Sequence, residues 1–524
     1  MPSTWFRKEG EKIYLAFLDI EKAYDNVLRD MLCKVLEIIG MSEKIVRIIR
    51  SMYENTRAKY SMGDMETDWV YSKRGVRQGC VLSPLLFGLY VEELAIRIKR
   101  TGLGVKIGND VLSVMMYADD VVLLSDNHTD LQEMLNAVSE YGEDYGVRFS
   151  KEKSQVLVIN GNNIDSERVW RLGGNDIRMT KEYKYLGMWL DEKGCERTKH
   201  DRISRANQWM GRLGSVARCR ANKYEIVRGL WKGMAVPSIM YGLETTVWTR
   251  NELERMEVVQ NKVGRIALGA NRYTAVEAIR GDMGWSTFKE RLAKAVMRYR
   301  VRLHRMDENR WAKKVFEWNI YGRWMKDSIK IEMWAGELGM LVRGAMRQGS
   351  MDACKRELNK KVEEKGRDEW KSRMNGKSTL EWYREKDWPG YESFYDGSYG
   401  SDLLFKARTK SLELNSRVYR WTNGGSKTCV VCESGVDETI EHMMIECDRY
   451  KNERARMLEL VKEQIGEEEW NGMRERNDNT QVKYLLGLHV EKKCTVQMTE
   501  CVKEYLECAW RTRARVIEWQ RALQ

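Results

Sequence analysis

Residues 115–125 read MMYADDVVLLS, in which two β-type apolar runs meet at adjacent aspartates, Asp119 and Asp120. A charged pair cannot sit inside a buried strand. A tight hairpin with the pair at its tip accounts for both halves of the pattern. Taken alone, two neighbouring aspartates are more simply a turn or a helix cap. A second carboxylate changes the weighing: Asp19 ends the apolar run of YLAFLDIEKAYDNV, residues 14–27. Strand-end carboxylates that converge can hold two Mg2+ ions about 3.5–4 Å apart for in-line phosphoryl transfer, one sharpening a hydroxyl nucleophile and both stabilising charge at phosphorus.

Outward from these sites, residues 1–190 mix β-type runs (Ile13–Ile20, Val111–Met116, Val121–Leu124, Val156–Ile159) with helical stretches such as Met31–Tyr53, an α+β pattern. From about residue 199 the period becomes helical. Ile203, Ala206, Met210, Leu213 and Ala217 mark one apolar face, with Arg202, Arg205, Arg212 and Arg218 expected outside it. Leu253, Met256, Val259, Val263 and Ile266 mark another, and Pro237 and Gly269 are expected breaks. Residues 350–390, charged and dotted with Trp, read as a solvated helical connector.

The 524 residues carry 90 basic and 78 acidic side chains, a net charge of +12 that favours polyanions. The balance is uneven. Residues 101–150 hold 2 basic against 9 acidic groups, whereas 201–350 hold 29 against 15. An acidic pocket therefore precedes a basic helical module, although most single arginines on such helices also read as ordinary solvated surface. No run approaches the roughly 18 apolar residues of a membrane span. The charged start MPSTWFRKEGEK and eleven irregularly spaced cysteines lead to the expectation of a reducing intracellular setting, nuclear or in a cytoplasmic ribonucleoprotein, with no membrane partner.

Five motifs in order over about 170 residues, FLDIEKAYD (17–25), RGVRQGCVLSPLLF (74–87), YADD (117–120), the run Gly146–Ser154 and YKYLG (183–187), resemble the palm motifs A to E of reverse transcriptases. The flavour is that of non-LTR, LINE-type retrotransposons, with group II intron maturases more distant. The resemblance implies that Asp19, Asp119 and Asp120 bind two Mg2+ ions, or Mn2+ in their place, with the Ile20 carbonyl as an extra ligand. It makes Tyr24 the steric gate against a ribose 2′-hydroxyl. Gln78 and Gly79 would lie beneath the incoming nucleotide, the glycine allowing close backbone approach. Tyr117 would lie near the primer end, and Tyr185, Leu186 and Gly187 would form the primer grip. Lys153 is either the general acid for leaving pyrophosphate or a solvated lysine flanking a strand. The implied partners are an RNA template, a DNA primer and dNTPs.

CVVCESGVDETIEHMMIECDRY places Cys429, Cys432, His442 and Cys447 in a C-x2-C-x9-H-x4-C spacing. Four such donors suit tetrahedral structural Zn2+, the alternative being unliganded cysteines in a small helical hairpin. The spacing resembles the CCHC knuckle that follows the polymerase in LINE-type proteins. Cys494, Cys501 and Cys508, seven residues apart, fit one stripe of a terminal helix. YDGS at 395–398 resembles the opening of a ribonuclease H strand, but the knuckle follows too closely for such a domain.

The expected order is thus an α+β polymerase palm with an antiparallel sheet (1–190), a basic helical thumb or connection (191–345), a charged helical connector (346–420), a CCHC zinc knuckle (421–455) and a helical tail (456–524). The family carries fingers before motif A, and only 18 residues precede Asp19, so a chain without fingers or endonuclease is expected. The first functional expectation is an RNA-directed DNA polymerase. A non-catalytic nucleic-acid-binding remnant and a maturase-like RNA-binding protein are the alternatives.

Overall fold

The computed structural model describes residues 12–161, 168–218, 222–321, 350–419, 425–488 and 495–523. These residues form two compact units, one from the chain up to Lys199 with the stretch after Leu303, the other from His200–Arg302 with the described residues from 350 onward. None of the described helices is long and apolar enough to cross a membrane.

The first unit opens with β1 (Ile13–Asp19), followed by helices α1 (Arg29–Ile38) and α2 (Glu43–Glu54). Gly40, at φ +84°, turns the chain between the two helices, so the single stretch expected over Met31–Tyr53 is a helical pair. Four two-residue strands follow, β2 (Arg57–Ala58), β3 (Ser61–Met62), β4 (Met65–Glu66) and β5 (Val70–Tyr71), and then α3 (Ser83–Arg100), with Pro84 in its first turn where no N–H is needed. The hairpin β6 (Val105–Ile107) and β7 (Asp110–Leu112) leads to β8 (Val114–Tyr117), β9 (Asp120–Ser125) and α4 (His128–Tyr145). The unit continues with β10 (Gln155–Ile159), β11 (Trp170–Leu172), β12 (Asn175–Thr180), β13 (Glu182–Tyr185) and β14 (Met188–Asp191).

Six strands make the main sheet in the order β11-β12-β10-β1-β9-β8. β1 is central and antiparallel to both neighbours, while β10 and β12 run parallel, so the sheet is mixed and not the purely antiparallel one expected. The uninterrupted apolar run of β1 follows from burial on both faces. Tyr14, Ala16 and Leu18 join a core with α1, α3 and α4, whereas Ile13, Leu15 and Phe17 join a second core with Leu190 and Val315.

The second unit is helical, and one hydrophobic core runs through it from Ile203 to Ala509. The sequence boundaries at 345, 420 and 455 therefore do not separate independent cores. Helix Met351–Asn375 is no solvated connector: Cys354, Leu358, Val362, Trp370 and Met374 are buried along one face, and charges such as Lys361 and Glu357 pair at 3.3 Å on the other. Arg202, expected outside its helix, is fully buried, donating to the Tyr241 carbonyl at 3.2 Å and pairing with Asp201 at 3.0 Å. Pro237 does not break the chain between helices. It lies in the first turn of helix Val236–Met240, which continues directly from a π-turn, and the chain turns instead at Gly242, φ +76°. Gly269 does end helix Arg250–Leu268 in the left-handed conformation. Asp396 lies in a loop before helix Tyr399–Arg408, with no strand there.

In the terminal helix Thr495–Leu523 the buried stripe is Met498, Val502, Tyr505, Leu506 and Ala509. Cys501 is half-buried and Cys508 exposed, because a seven-residue repeat drifts about 20° per step around a straight helix. Cys494 lies outside the described residues.

Candidate active site

Strand pairing assembles the acidic cluster of the first unit. Asp19 and Asp120 are register partners across β1 and β9, and Tyr117 and Asp120 close the β8–β9 hairpin, leaving Ala118 and Asp119 as its two-residue turn. Ala118 holds φ +53°, a conformation seldom adopted by a residue with a Cβ, which marks the turn as a point of stored strain. Asp119 is exposed, and Asp19 and Asp120 are half-buried. The Asp120 carboxyl is pushed above its ordinary pKa by partial burial, then by the charges of Asp119 and Asp19. Three acids face one another with little to neutralise them, the condition under which carboxylates recruit divalent cations.

Among the described residues, the cation paired with the cluster is Lys153, whose Nζ donates to Asp19 Oδ2 at 3.2 Å with 71% of its side chain exposed. The run Gly146–Ser154 wraps the end of β1. Ser150 N–H donates to the Asp19 carbonyl at 2.9 Å, Asp19 N–H to Ser154 Oγ at 3.4 Å, and Ile20 bridges Phe149. The two serines were not singled out in the sequence, although their place around Lys153 in the run was the available signal.

Tyr24 stacks on Phe87 of α3, centroids 5.1 Å apart. Its carbonyl accepts from Val76 N–H at 2.8 Å, and the Gln78 side-chain amide donates to Asp25 Oδ1 at 3.1 Å, so the Arg74–Gly79 loop is fastened to the turn after β1. Within the protein, the tightest backbone approach in this loop is at Gly75, where a Cβ would lie 2.7 Å from the Asp25 carbonyl. Gly79 has open space around it and is needed for its φ of +80°.

Tyr117 stands at the hairpin tip with 65% exposure. Tyr185, Leu186 and Gly187 lie on the turn between β13 and β14, with Leu186 and Gly187 both at positive φ. Phe17 anchors that hairpin: Tyr183 stacks on it at 4.0 Å and Tyr185 leans on it at 5.7 Å. Burial, then the nearby Asp120 charge, pushes the Tyr185 hydroxyl up to about 12. Tyr183 was read only as the start of YKYLG and given no role of its own, although the alternation of EYKY puts both tyrosines on one face.

In the second unit Cys429, Cys432, His442 and Cys447 converge, with one donor atom from each lying within 4.8 Å of all the others. Tetrahedral zinc–thiolate geometry separates sulfurs by about 3.8 Å, so the donor set fits that ion. His442 faces Cys432 through Nε2 at 3.3 Å and Glu446 through Nδ1 at 3.1 Å, an outer partner of the kind that orients a ligating imidazole. Burial opposes ionisation of the Cys432 thiol, but hydrogen bonds from Ser434, His442 and Cys429 outweigh it and bring the thiol to about 6. Burial and the neighbouring thiols push Cys447 up to about 12.

The family described as reverse transcriptase (RNA-dependent DNA polymerase) matches residues 2–190. The Retrovirus-related Pol polyprotein from type-1 retrotransposable element R2 of Popillia japonica is 26% identical over 257 residues, covering 47% of this chain and 35% of that protein. The RNA-directed DNA polymerase from mobile element jockey of Drosophila melanogaster is 24% identical over 306 residues, 55% of this chain and 32% of that one. The chain thus spans about a third of these two relatives. A solved Candida tropicalis telomerase, in complex with a fragment of telomeric RNA, superposes with a TM-score of 0.28 at 12% identity over 61% of this chain and 50% of that one.

Proposed function

From the premise that residues 2–190 are a reverse transcriptase domain of the non-LTR retrotransposon kind, we propose that the chain is an RNA-directed DNA polymerase that extends a DNA primer on an RNA template. The observation that carries this reading is the pairing of Asp19 with Asp120 in one register, with Asp119 in the adjoining turn. These three carboxylates would hold two Mg2+ ions, with the Ile20 carbonyl as a further ligand. When bound, the ions supply Lewis-acid activation of the primer hydroxyl and charge stabilisation at phosphorus.

The remaining groups act by position. Tyr24, held flat against Phe87, leaves no room for a 2′-hydroxyl and selects deoxynucleotides. Gln78 and Gly79 support the incoming nucleotide from the loop fastened to Asp25. Lys153, which donates from Nζ to Asp19, would deliver a proton from that atom to the leaving pyrophosphate. Tyr117 abuts the primer end, and Tyr185, Leu186 and Gly187 hold the primer backbone. The basic helices of residues 191–345 grip the template–primer duplex through its phosphates, a contact independent of sequence and weakened by salt.

Primer extension on poly-rA/oligo-dT with Mg2+ tests the reading. Wild type should incorporate dTTP well above an Asp119→Ala, Asp120→Ala control. Equal incorporation by the two, with RNA affinity retained, would leave a binding remnant in place of an enzyme. The Cys429, Cys432, His442, Cys447 site is expected to carry one Zn2+ per chain, measured by metal analysis of the full protein; a metal-free folded chain would defeat that assignment.

A further inference from the structure

The first unit contains a cavity of about 660 Å³ between α1, α2 and the segment Tyr71–Arg74, and its lining shares no residue with the carboxylate cluster. Small-molecule sites run from about 300 to 1,000 Å³. Its floor is apolar, with Leu32 and Ile49 both buried. Tyr53 also lines it, 3% exposed, and the Tyr53 hydroxyl is buried with no hydrogen-bond partner among the described residues.

The rim is basic. Lys34, Lys73 and Arg74 are exposed and form no ion pair among the described residues, and Arg50 has its carboxylate partner, Glu37, at 3.7 Å. Asp30 and Glu54 are the acids of the lining, so cations prevail. Tyr71, 60% exposed, adds an aromatic edge beside Lys73. An apolar floor rimmed by cations matches a molecule with an apolar ring system at one end and phosphate at the other.

We propose that this cavity is a second nucleotide-binding site, taking a base against Leu32, Ile49 and Tyr53 and a phosphate between Lys73 and Arg74. Its occupant would lie against the loop that carries Gln78. Arg29, from the same wall, fastens that loop by donating to the carbonyls of Tyr53 at 2.8 Å, Ser72 at 2.7 Å, Arg74 at 3.2 Å and Gly75 at 3.0 Å. The next residue along, Val76, bonds the Tyr24 carbonyl. Filling the cavity therefore stiffens the segment that supports the steric gate, without contact to the metal ligands.

Calorimetric titration of the full chain with AMP, without added Mg2+ or Mn2+ so that the carboxylate cluster is silent, tests the site. One saturable site is expected, weakened about tenfold or more in Lys73→Ala/Arg74→Ala and in Lys34→Glu, and unchanged in Asp119→Asn/Asp120→Asn. These rim side chains are exposed, and circular dichroism verifies that the variants fold. Adenosine and inorganic phosphate should each bind more weakly than AMP. Competition by a short oligoribonucleotide would identify a strand as the source of the nucleotide, and lack of competition would identify a free one. Absent AMP binding, equal affinity in both rim variants, or inorganic phosphate matching AMP would overturn the proposal.

Discussion

Two aspartate-centred clusters, one in each unit, treat charge in opposite ways. In the first unit Asp19, Asp119 and Asp120 face one another at the end of a sheet, and the cation paired with them among the described residues, Lys153, is mostly in water. In the second unit Asp282 is fully buried and fully answered. Tyr383 and Tyr395 hydroxyls donate to its Oδ2 at 2.8 and 2.6 Å, Lys386 to Oδ1 at 2.9 Å, and the Arg408 guanidinium spans both oxygens at 3.3 and 3.5 Å. An acid whose neighbours already neutralise it serves the fold. Acids that repel one another at a solvent-open strand end would, in the proposed function, serve a cation from outside, and the fold tolerates the repulsion because water screens it.

The sharpest way to break this contrast is to delete charge in each place and read activity and stability separately. Asp119→Ala/Asp120→Ala should lower dTTP incorporation by about four orders of magnitude, roughly 5 kcal/mol of transition-state stabilisation. The urea midpoint should hold steady or rise, because repulsion is relieved; a large stability loss would show that the cluster is structural after all. Arg408→Met should do the reverse and lower stability by about 3–5 kcal/mol in urea titrations, since it strands Asp282 in the core. A variant as stable as wild type would mean that the tyrosines and Lys386 suffice.

Tyr24→Ala comes next, with an expected loss of discrimination against ribonucleotides of about tenfold to a hundredfold, read as the ratio of kcat/KM for dTTP and UTP. An unchanged ratio would place the gate elsewhere. Acid titration sharpens the Asp282 half of the comparison. Burial alone would raise the Asp282 pKa, but Arg408 and Lys386 overcome it and hold the carboxyl at about 2, below its value of 3.8 in an unfolded chain. The ionised form thus stabilises the fold at neutral pH. That contribution, about 2 kcal/mol, is lost as pH falls from about 4 towards 2. In Asp282→Asn this segment of the stability–pH curve should flatten, and an unaltered slope would assign the acid sensitivity to other groups.

The two clusters also differ in how legible they were. The carboxylates of the first unit announce themselves locally: an apolar run that stops at an acid, and a charged pair between two apolar runs, are readable within a dozen residues. The Asp282 cluster draws on Arg408, 126 positions away, and nothing near either residue reveals the pairing. Composition misled in the same direction at Met351–Asn375, where dense charge hid the four-residue spacing of Cys354, Leu358 and Val362. It misled again at Arg202, whose long side chain reaches a carbonyl 39 residues on. Glycines were legible as special but not as to why: Gly75 and Gly79 stand four apart and both hold positive φ, and only the folded chain shows that Gly75 needs the space as well.

Lys153 is the smallest lever and the most discriminating one, because its ion pair with Asp19 joins the two ways of treating charge. The pair lies at 3.2 Å but in water on the lysine side, so its worth to the fold is about 0–1 kcal/mol, and Lys153→Met should shift the urea midpoint barely at all. If Lys153 instead serves the leaving pyrophosphate, the same substitution should lower kcat for incorporation by about tenfold to a hundredfold with little change in KM. Lys153→Arg keeps the charge but does not readily surrender a proton, so it should restore the ion pair without restoring rate. A variant in which rate and midpoint both stay at wild-type values would return Lys153 to the solvated surface, and leave the cluster with no cation of its own.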